Sequence, residues 1–202
     1  KLSENTGPVI MLPGRLSPWK GQLLLLEAIN YLHVIKRLPE NLRCLLVGPS
    51  GNKKKYRNRI EEKVREFNLG GVVQIVDNCR DIGSAYMLTD VVISASLKPE
   101  AFGRVVAEAQ AMGRPVIAFN HGGSVELIKE NENGTLCKVA DINDLALNIE
   151  KALHLSVHKR KVLLKKSISN VNKKYLTKFM CKKTLSLYKQ LIKNFREKDI
   201  NN

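Results

Sequence analysis

Two stretches of this sequence concentrate the side chains most able to do chemistry. The first is Pro13-Gly14-Arg15-Leu16-Ser17-Pro18-Trp19-Lys20-Gly21. Ser before Pro is a helix-start signal, with Ser as N-cap and Pro at the first helical position. It predicts a helix beginning at Ser17, with Arg15 and Lys20 at its positive end. Unpaired backbone N–H groups point outward at such an end, and with two cations they suit a diphosphate. Spacing alone equally allows two ordinary surface cations.

The second stretch is Ser96-Leu97-Lys98-Pro99-Glu100-Ala101-Phe102-Gly103-Arg104-Val105-Val106-Ala107-Glu108-Ala109-Gln110-Ala111-Met112-Gly113. Glu100 falls in a loop, Gly103 near the start of a helix, and Glu108 inside that helix, with Ala107, Ala109 and Ala111 as neighbours. A buried carboxylate there needs a polar partner, and the paired hydroxyls of a sugar or ribose would supply one. On the helix's wet side Glu108 would need none.

Metal chemistry has little to work with. Cys44, Cys79, Cys137 and Cys181 are far apart, with no C-x-x-C pair and no histidine spaced to complete a zinc site. His154 and His158 would share one face of a single helix, but two imidazoles without a third ligand make a poor site. No metal is expected, and the cysteine usage fits a reducing cytoplasm. His121, before Gly122-Gly123, is open between acid–base work and a loop role.

Short apolar runs alternate with segments of helical period: Val9 to Leu12, then Gln22 to Ile35; Leu42 to Val47, then Lys55 to Phe67; Val72 to Val76, then Ile82 to Leu88. The alternation continues with Val91 to Ser94, then Gly103 to Met112; Pro115 to Phe119, then Ser124 to Lys129; and Thr135 to Val139, then Asn143 to Leu153. Strands apolar on both faces and separated by helices predict a doubly wound α/β domain with about six parallel strands. Ligands of such sheets bind beyond the carboxyl ends of the strands, which is where both stretches fall.

The 202 residues divide accordingly into a domain over 1–155 and basic C-terminal helices over 156–202. With 44% hydrophobic and 26% charged residues, general disorder, a collagen and a small disulfide scaffold are excluded. No apolar run approaches the roughly 20 residues of a membrane helix. The chain opens on Lys1-Leu2-Ser3-Glu4 without Met and reaches a core strand within a few residues, which predicts a fragment of a longer protein. Of its net charge of +15, residues 151–202 hold fifteen Lys/Arg against two acids, leaving nineteen against seventeen upstream. Such a tail could meet an anionic membrane surface, or simply solvate a helix face.

Here the residues carry a resemblance. Glu100 and Glu108 with seven residues between, the intervening Phe102-Gly103, and Gly113-Arg114-Pro115-Val116-Ile117-Ala118 resemble the signature of the retaining glycosyltransferases of family 4, group 1, which have the GT-B architecture. Gly14 to Gly21 resembles that family's phosphate loop, and Gly122-Gly123-Ser124-Val125-Glu126-Leu127-Ile128 with Asn133-Gly134 its next motif. The resemblance implies a Rossmann-like domain that binds a nucleoside-diphosphate sugar, with no cofactor besides. Arg15 and Lys20 would hold the diphosphate and Glu100 the transferred sugar, as the catalytic set. Gly14 and Ser17 would belong to the donor site, with Glu108 on the ribose. Backbone around Phe102, Gly103, Arg104 and Val105 would cradle sugar and phosphate, and the loop Asn78-Cys79-Arg80-Asp81-Ile82 would hold the base.

Two residues depart from the family pattern: Gly83 stands where relatives often have Pro, and Arg104 where an aliphatic residue is commoner. The resemblance also implies a second, N-terminal domain holding the acceptor, for which this chain has no room. The last helix would cross back toward it, leaving apolar positions between Phe179 and Ile192 incompletely covered. The implied product is a glycan or lipid-linked saccharide of the cell envelope, made in the cytoplasm or at the inner face of the membrane. Rival readings are a non-catalytic nucleotide-binding module, a nucleic-acid binder using Tyr175, Phe179, Tyr188 and Phe195 among lysines, and a GT-B sugar-nucleotide epimerase. Nucleic acid is not the expected partner, because aromatics at these spacings more often pack one helix face.

Overall fold

A computed structural model describes residues 7–51, 54–77 and 79–200. Lys1 to Glu4, and Asn78 of the expected base loop, lie outside the described residues. The strands are β1 (Val9–Pro13), β2 (Arg43–Val47), β3 (Val73–Val76), β4 (Val91–Ser94), β5 (Val116–Phe119) and β6 (Thr135–Cys137). They form one sheet in the order β3-β2-β1-β4-β5-β6, parallel at every pairing. Around it lie α1 (Gln22–Val34), α2 (Lys54–Glu66), α3 (Ile82–Met87), α4 (Arg104–Ala111), α5 (Gly123–Leu127) and α6 (Ile142–Leu153), followed by α7 (Val157–Lys174) and α8 (Thr177–Ile200).

Alternation along each strand serves two cores. Ile10 and Leu12 face a layer built by α1, α2 and α6, through Leu25, Ile29, Ile60, Leu145 and Ile149. Met11 and Val92 face the opposite layer, with Tyr86, Val106, Ala109 and Leu127. Both faces are covered, so the strands read as unbroken apolar runs.

The chain runs outward from β1 to β3, then returns to place β4 on the other side of β1, where Ile10 and Met11 pair with Val91 and Val92. The loops after β1 and β4 diverge at that switch point and leave a crevice between them. Most element ends fall within a residue or two of expectation.

The start expected at Ser17 leads into a 3₁₀ turn rather than directly into an α-helix. Pro18–Lys20 is a single 3₁₀ turn, and α1 begins only at Gln22, after Gly21 at φ 75°. A Cβ on Gly21 would stand 2.0 Å from the Ala95 carbonyl oxygen, so the β1 loop bends hard against the β4 loop there. Ser17 and Pro18 start the 3₁₀ turn, and α1 begins at Gln22, where the helical period placed it. Ser17 makes no capping bond; it is buried, its hydroxyl 3.4 Å from the Arg15 carbonyl.

The two histidines separate as well. His154 closes α6 with Nδ1 2.9 Å from the Glu150 carbonyl, while His158 lies on α7, so they do not share a helix face. Helix α7 lies against α4 and buries Ser167 and Val171. Every α8 side chain from Met180 to Phe195 is exposed, including Leu185, Leu187, Tyr188, Leu191 and Ile192. Among the described residues no helix is long and apolar enough to cross a membrane.

Candidate active site

A cleft of about 870 Å³ opens at the carboxyl ends of β1 to β4. Its wall brings together Gly14, Arg15 and Lys20 from the β1 loop, Cys79 and Arg80 from the β3 loop, and Glu100, Arg104, Val105 and Glu108 from the β4 loop and α4. Three of the expected residues lie elsewhere. Ser17 is buried behind the loop. Phe102 turns its ring edge-on to Tyr175, with centroids 5.8 Å apart. Gly103 is the left-handed N-cap of α4.

The two chemical stretches meet directly. Lys20 Nζ stands 2.6 Å from Glu100 Oε1, across 80 residues of chain, with both side chains largely shielded from solvent. Ser96 donates its hydroxyl to the same carboxylate oxygen. Burial pushes the Glu100 carboxyl up, but hydrogen bonds from Lys20 and Ser96, with the charges of Lys20 and Arg104, hold it below the usual glutamate value. Lys20 also sits 4.4 Å from the Trp19 ring centroid. Thus the residue expected on the diphosphate and the residue expected on the sugar are paired with each other.

Backbone contacts hold these loops in place. The Leu97 N–H donates to the Trp19 carbonyl at 2.6 Å, joining the β4 loop to the β1 loop. The Gly123 N–H donates to the Glu100 carbonyl at 2.8 Å. A Cβ on Gly122 would stand 2.6 Å from that same carbonyl oxygen, and one on Gly123 would stand 2.3 Å from the Phe102 carbonyl oxygen. The Gly-Gly motif therefore provides the close approach that clamps the Glu100 loop.

Glu108 is exposed on the cleft wall rather than buried among alanines. Its Oε2 accepts from the Tyr86 hydroxyl at 2.9 Å. Burial and the Glu108 charge push the Tyr86 phenol well above its ordinary value, so it remains a donor. Arg104 lies one helical turn before Glu108, and the first N–H groups of α4 have no acceptor within their own helix. Arg15, Arg80 and Arg104 are exposed and form no ion pair among the described residues. Asp77, at the β3 side of the cleft, is bound by Ser50 and Arg57, which hold its carboxyl below the usual value.

Sequence reading missed Tyr86, Ser96 and Asp77. Tyr86 looks like an ordinary core aromatic, and nothing local in Ser96 or Asp77 announces a partner. Among the described residues no three of His, Cys, Asp and Glu gather where a metal ion could be held, and all four cysteines are free thiols.

The sequence profile of the family described as "Glycosyl transferases group 1" matches residues 1–170. Over 131 residues the chain is 30% identical to the lipopolysaccharide 1,2-N-acetylglucosaminetransferase of Salmonella typhimurium, a match covering 62% of this chain and 34% of that protein. A glycosyltransferase from Rickettsia africae has the same fold, with a TM-score of 0.87 at 34% identity over 94% of this chain and 49% of its own. Anabaena HepE, solved in complex with UDP-glucose, matches with a TM-score of 0.77 at 25% identity over 96% of this chain and 49% of its own. The chain spans between a third and a half of the length of these relatives.

Proposed function

The chain belongs to the group 1 glycosyltransferases, and we propose that it is the donor-nucleotide half of a retaining, metal-independent enzyme of that family. The donor is a nucleoside-diphosphate sugar, and the acceptor a glycan or lipid-linked saccharide. One observation carries this reading: Arg15, Lys20, Glu100, Arg104 and Glu108, from loops far apart in sequence, line one cleft at the switch point of the sheet. A structural relative solved with UDP-glucose supports the choice of ligand class.

Breaking the anomeric C–O bond leaves an oxocarbenium-like sugar and a diphosphate. Arg15, Lys20 and Arg104, with the N-terminus of α4, provide preorganised positive charge toward the leaving group. Those cations supply the countercharge that a metal would otherwise carry. Glu108 accepts from ribose hydroxyls and Glu100 from the transferred sugar. With front-face attack, the acceptor hydroxyl bonds to the anomeric carbon on the side the diphosphate leaves, and passes its proton to the departing phosphate oxygen.

The acceptor belongs to the part of the enzyme that the longer relatives possess in addition, so this chain alone should not transfer sugar. Proximity and orientation are worth roughly 7 to 11 kcal/mol, most of which a half-site open to water forfeits. The basic residues of 156–202 are assigned to the cytoplasmic side of an anionic membrane surface.

Calorimetry with UDP, GDP and ADP, each with and without a chelator, tests the reading. Binding of one diphosphate that survives chelation is the expected result. Binding that disappears with divalent metal would remove the proposed phosphate site.

A further inference from the structure

Two polar residues, Ser96 and His121, stand behind Glu100. Ser96, 5% exposed, follows β4 and donates to Glu100 Oε1. Lys20 donates to that same oxygen, while Glu100 Oε2 accepts from nothing among the described residues. His121, on the loop after β5, places Nε2 2.7 Å from the Ser96 carbonyl oxygen. A carbonyl only accepts, so Nε2 bears the proton and donates. Behind it the Phe119 ring stands edge-on, with centroids 6.4 Å apart. The chain of bonds therefore runs from the β5 loop through Ser96 to one carboxylate oxygen and stops there.

Resting on the nucleotide-sugar reading, we propose that Ser96 and His121 are positioning residues for Glu100: they hold Oε1 occupied and leave Oε2 for a hydroxyl of the donor sugar. Two donors on one oxygen fix the plane of the carboxylate, whereas Lys20 alone would let it turn. A diphosphate also competes for Lys20, so without Ser96 the carboxylate would lose its orientation when the donor arrives. Arg15, Arg104 and Glu108 lie outside this chain of bonds. The pair thus sets recognition of the sugar and leaves recognition of the nucleotide alone.

The test measures affinity for UDP, GDP and ADP and for their glucose, mannose and N-acetylglucosamine conjugates, in wild type, Ser96→Ala, His121→Phe and His121→Gln. The readout is the ratio of diphosphate Kd to conjugate Kd, which isolates the sugar's contribution. In Ser96→Ala and His121→Phe that ratio should fall at least fivefold, with affinity for the bare diphosphate within twofold of wild type. His121→Gln, whose side-chain amide can donate from the place of Nε2, should keep the ratio. An unchanged ratio in Ser96→Ala and His121→Phe would overturn the inference. So would equal losses for diphosphate and conjugate, which mark a general disturbance of the loop, or a wild-type ratio of one for every conjugate. Wild-type protein that binds no diphosphate at all would overturn the nucleotide-sugar reading itself, and this inference with it.

Discussion

Beyond the carboxyl ends of the sheet, Arg15, Lys20, Arg80 and Arg104 stand around one cleft with Asp77, Glu100 and Glu108. Along α8, Lys182, Lys183, Lys189 and Lys193 follow one another over an exposed helix. By count the tail is the more basic region, with its fifteen cations after residue 150. Yet the cleft cations converge because three loops meet at the switch point, held by contacts such as Leu97 to Trp19 and Gly123 to Glu100. Convergence, rather than charge density, makes a polyanion site: several charges must reach one ligand without a fresh ordering cost for each.

The contrast breaks most readily at the backbone clamp. Gly123→Val drives a side chain into the Phe102 carbonyl, and we expect a loss of about 3 kcal/mol or more in denaturant unfolding. Ser186→Val on exposed α8 should stay within about 0.5 kcal/mol. Equal effects would mean that the Glu100 loop is not held as the close approach implies.

Charge removal gives the next largest effect. Lys20→Ala should weaken diphosphate binding about tenfold or more, the scale of one charge-assisted contact. The double variant Lys182→Ala/Lys189→Ala should leave it within about twofold, since exposed, screened cations contribute little. Titration calorimetry at one salt concentration decides between them.

A smaller effect concerns Glu108. Glu108→Gln should reduce the preference for a ribose over a 2′-deoxyribose diphosphate by about fivefold, roughly 1 kcal/mol, with little change in melting temperature. Identical preferences in variant and wild type would place Glu108 outside the ribose contact.

The smallest effect is on stability against pH. The Glu100 carboxyl is held below its ordinary value, so its contribution is complete above the unfolded value, about 4.3. It is lost as pH falls through the lower folded value. Wild type should therefore exceed Glu100→Gln in stability at pH 7, with the gap closing on acidification below about pH 4. A gap independent of pH would show that the ion pair contributes nothing to stability.

Much of the fold is legible in the sequence. Runs such as Val91 to Ser94 and Val116 to Phe119, apolar on both faces, called for strands inside two helical layers, and the structure has them there. The alternation also placed Arg15, Lys20, Glu100 and Glu108 after strand ends, hence on the carboxyl edge where the cleft lies. Ser17 and Pro18 start only a 3₁₀ turn, because Gly21 at φ 75° separates that turn from α1. At Gly21 the chain passes too close to the Ala95 carbonyl for any side chain.

By itself the sequence determined the period, class and order of the elements, because burial of each short segment depends on residues a turn or two away. Only the tertiary structure decided that Lys20 neutralises Glu100, that Tyr86 reaches Glu108, and that Ser96 and His121 stand behind the carboxylate. The Lys20–Glu100 and Tyr86–Glu108 pairs join side chains 80 and 22 residues apart. Their geometry depends on the register of the sheet and on where the loops after β1, β4 and β5 meet, which no local pattern specifies.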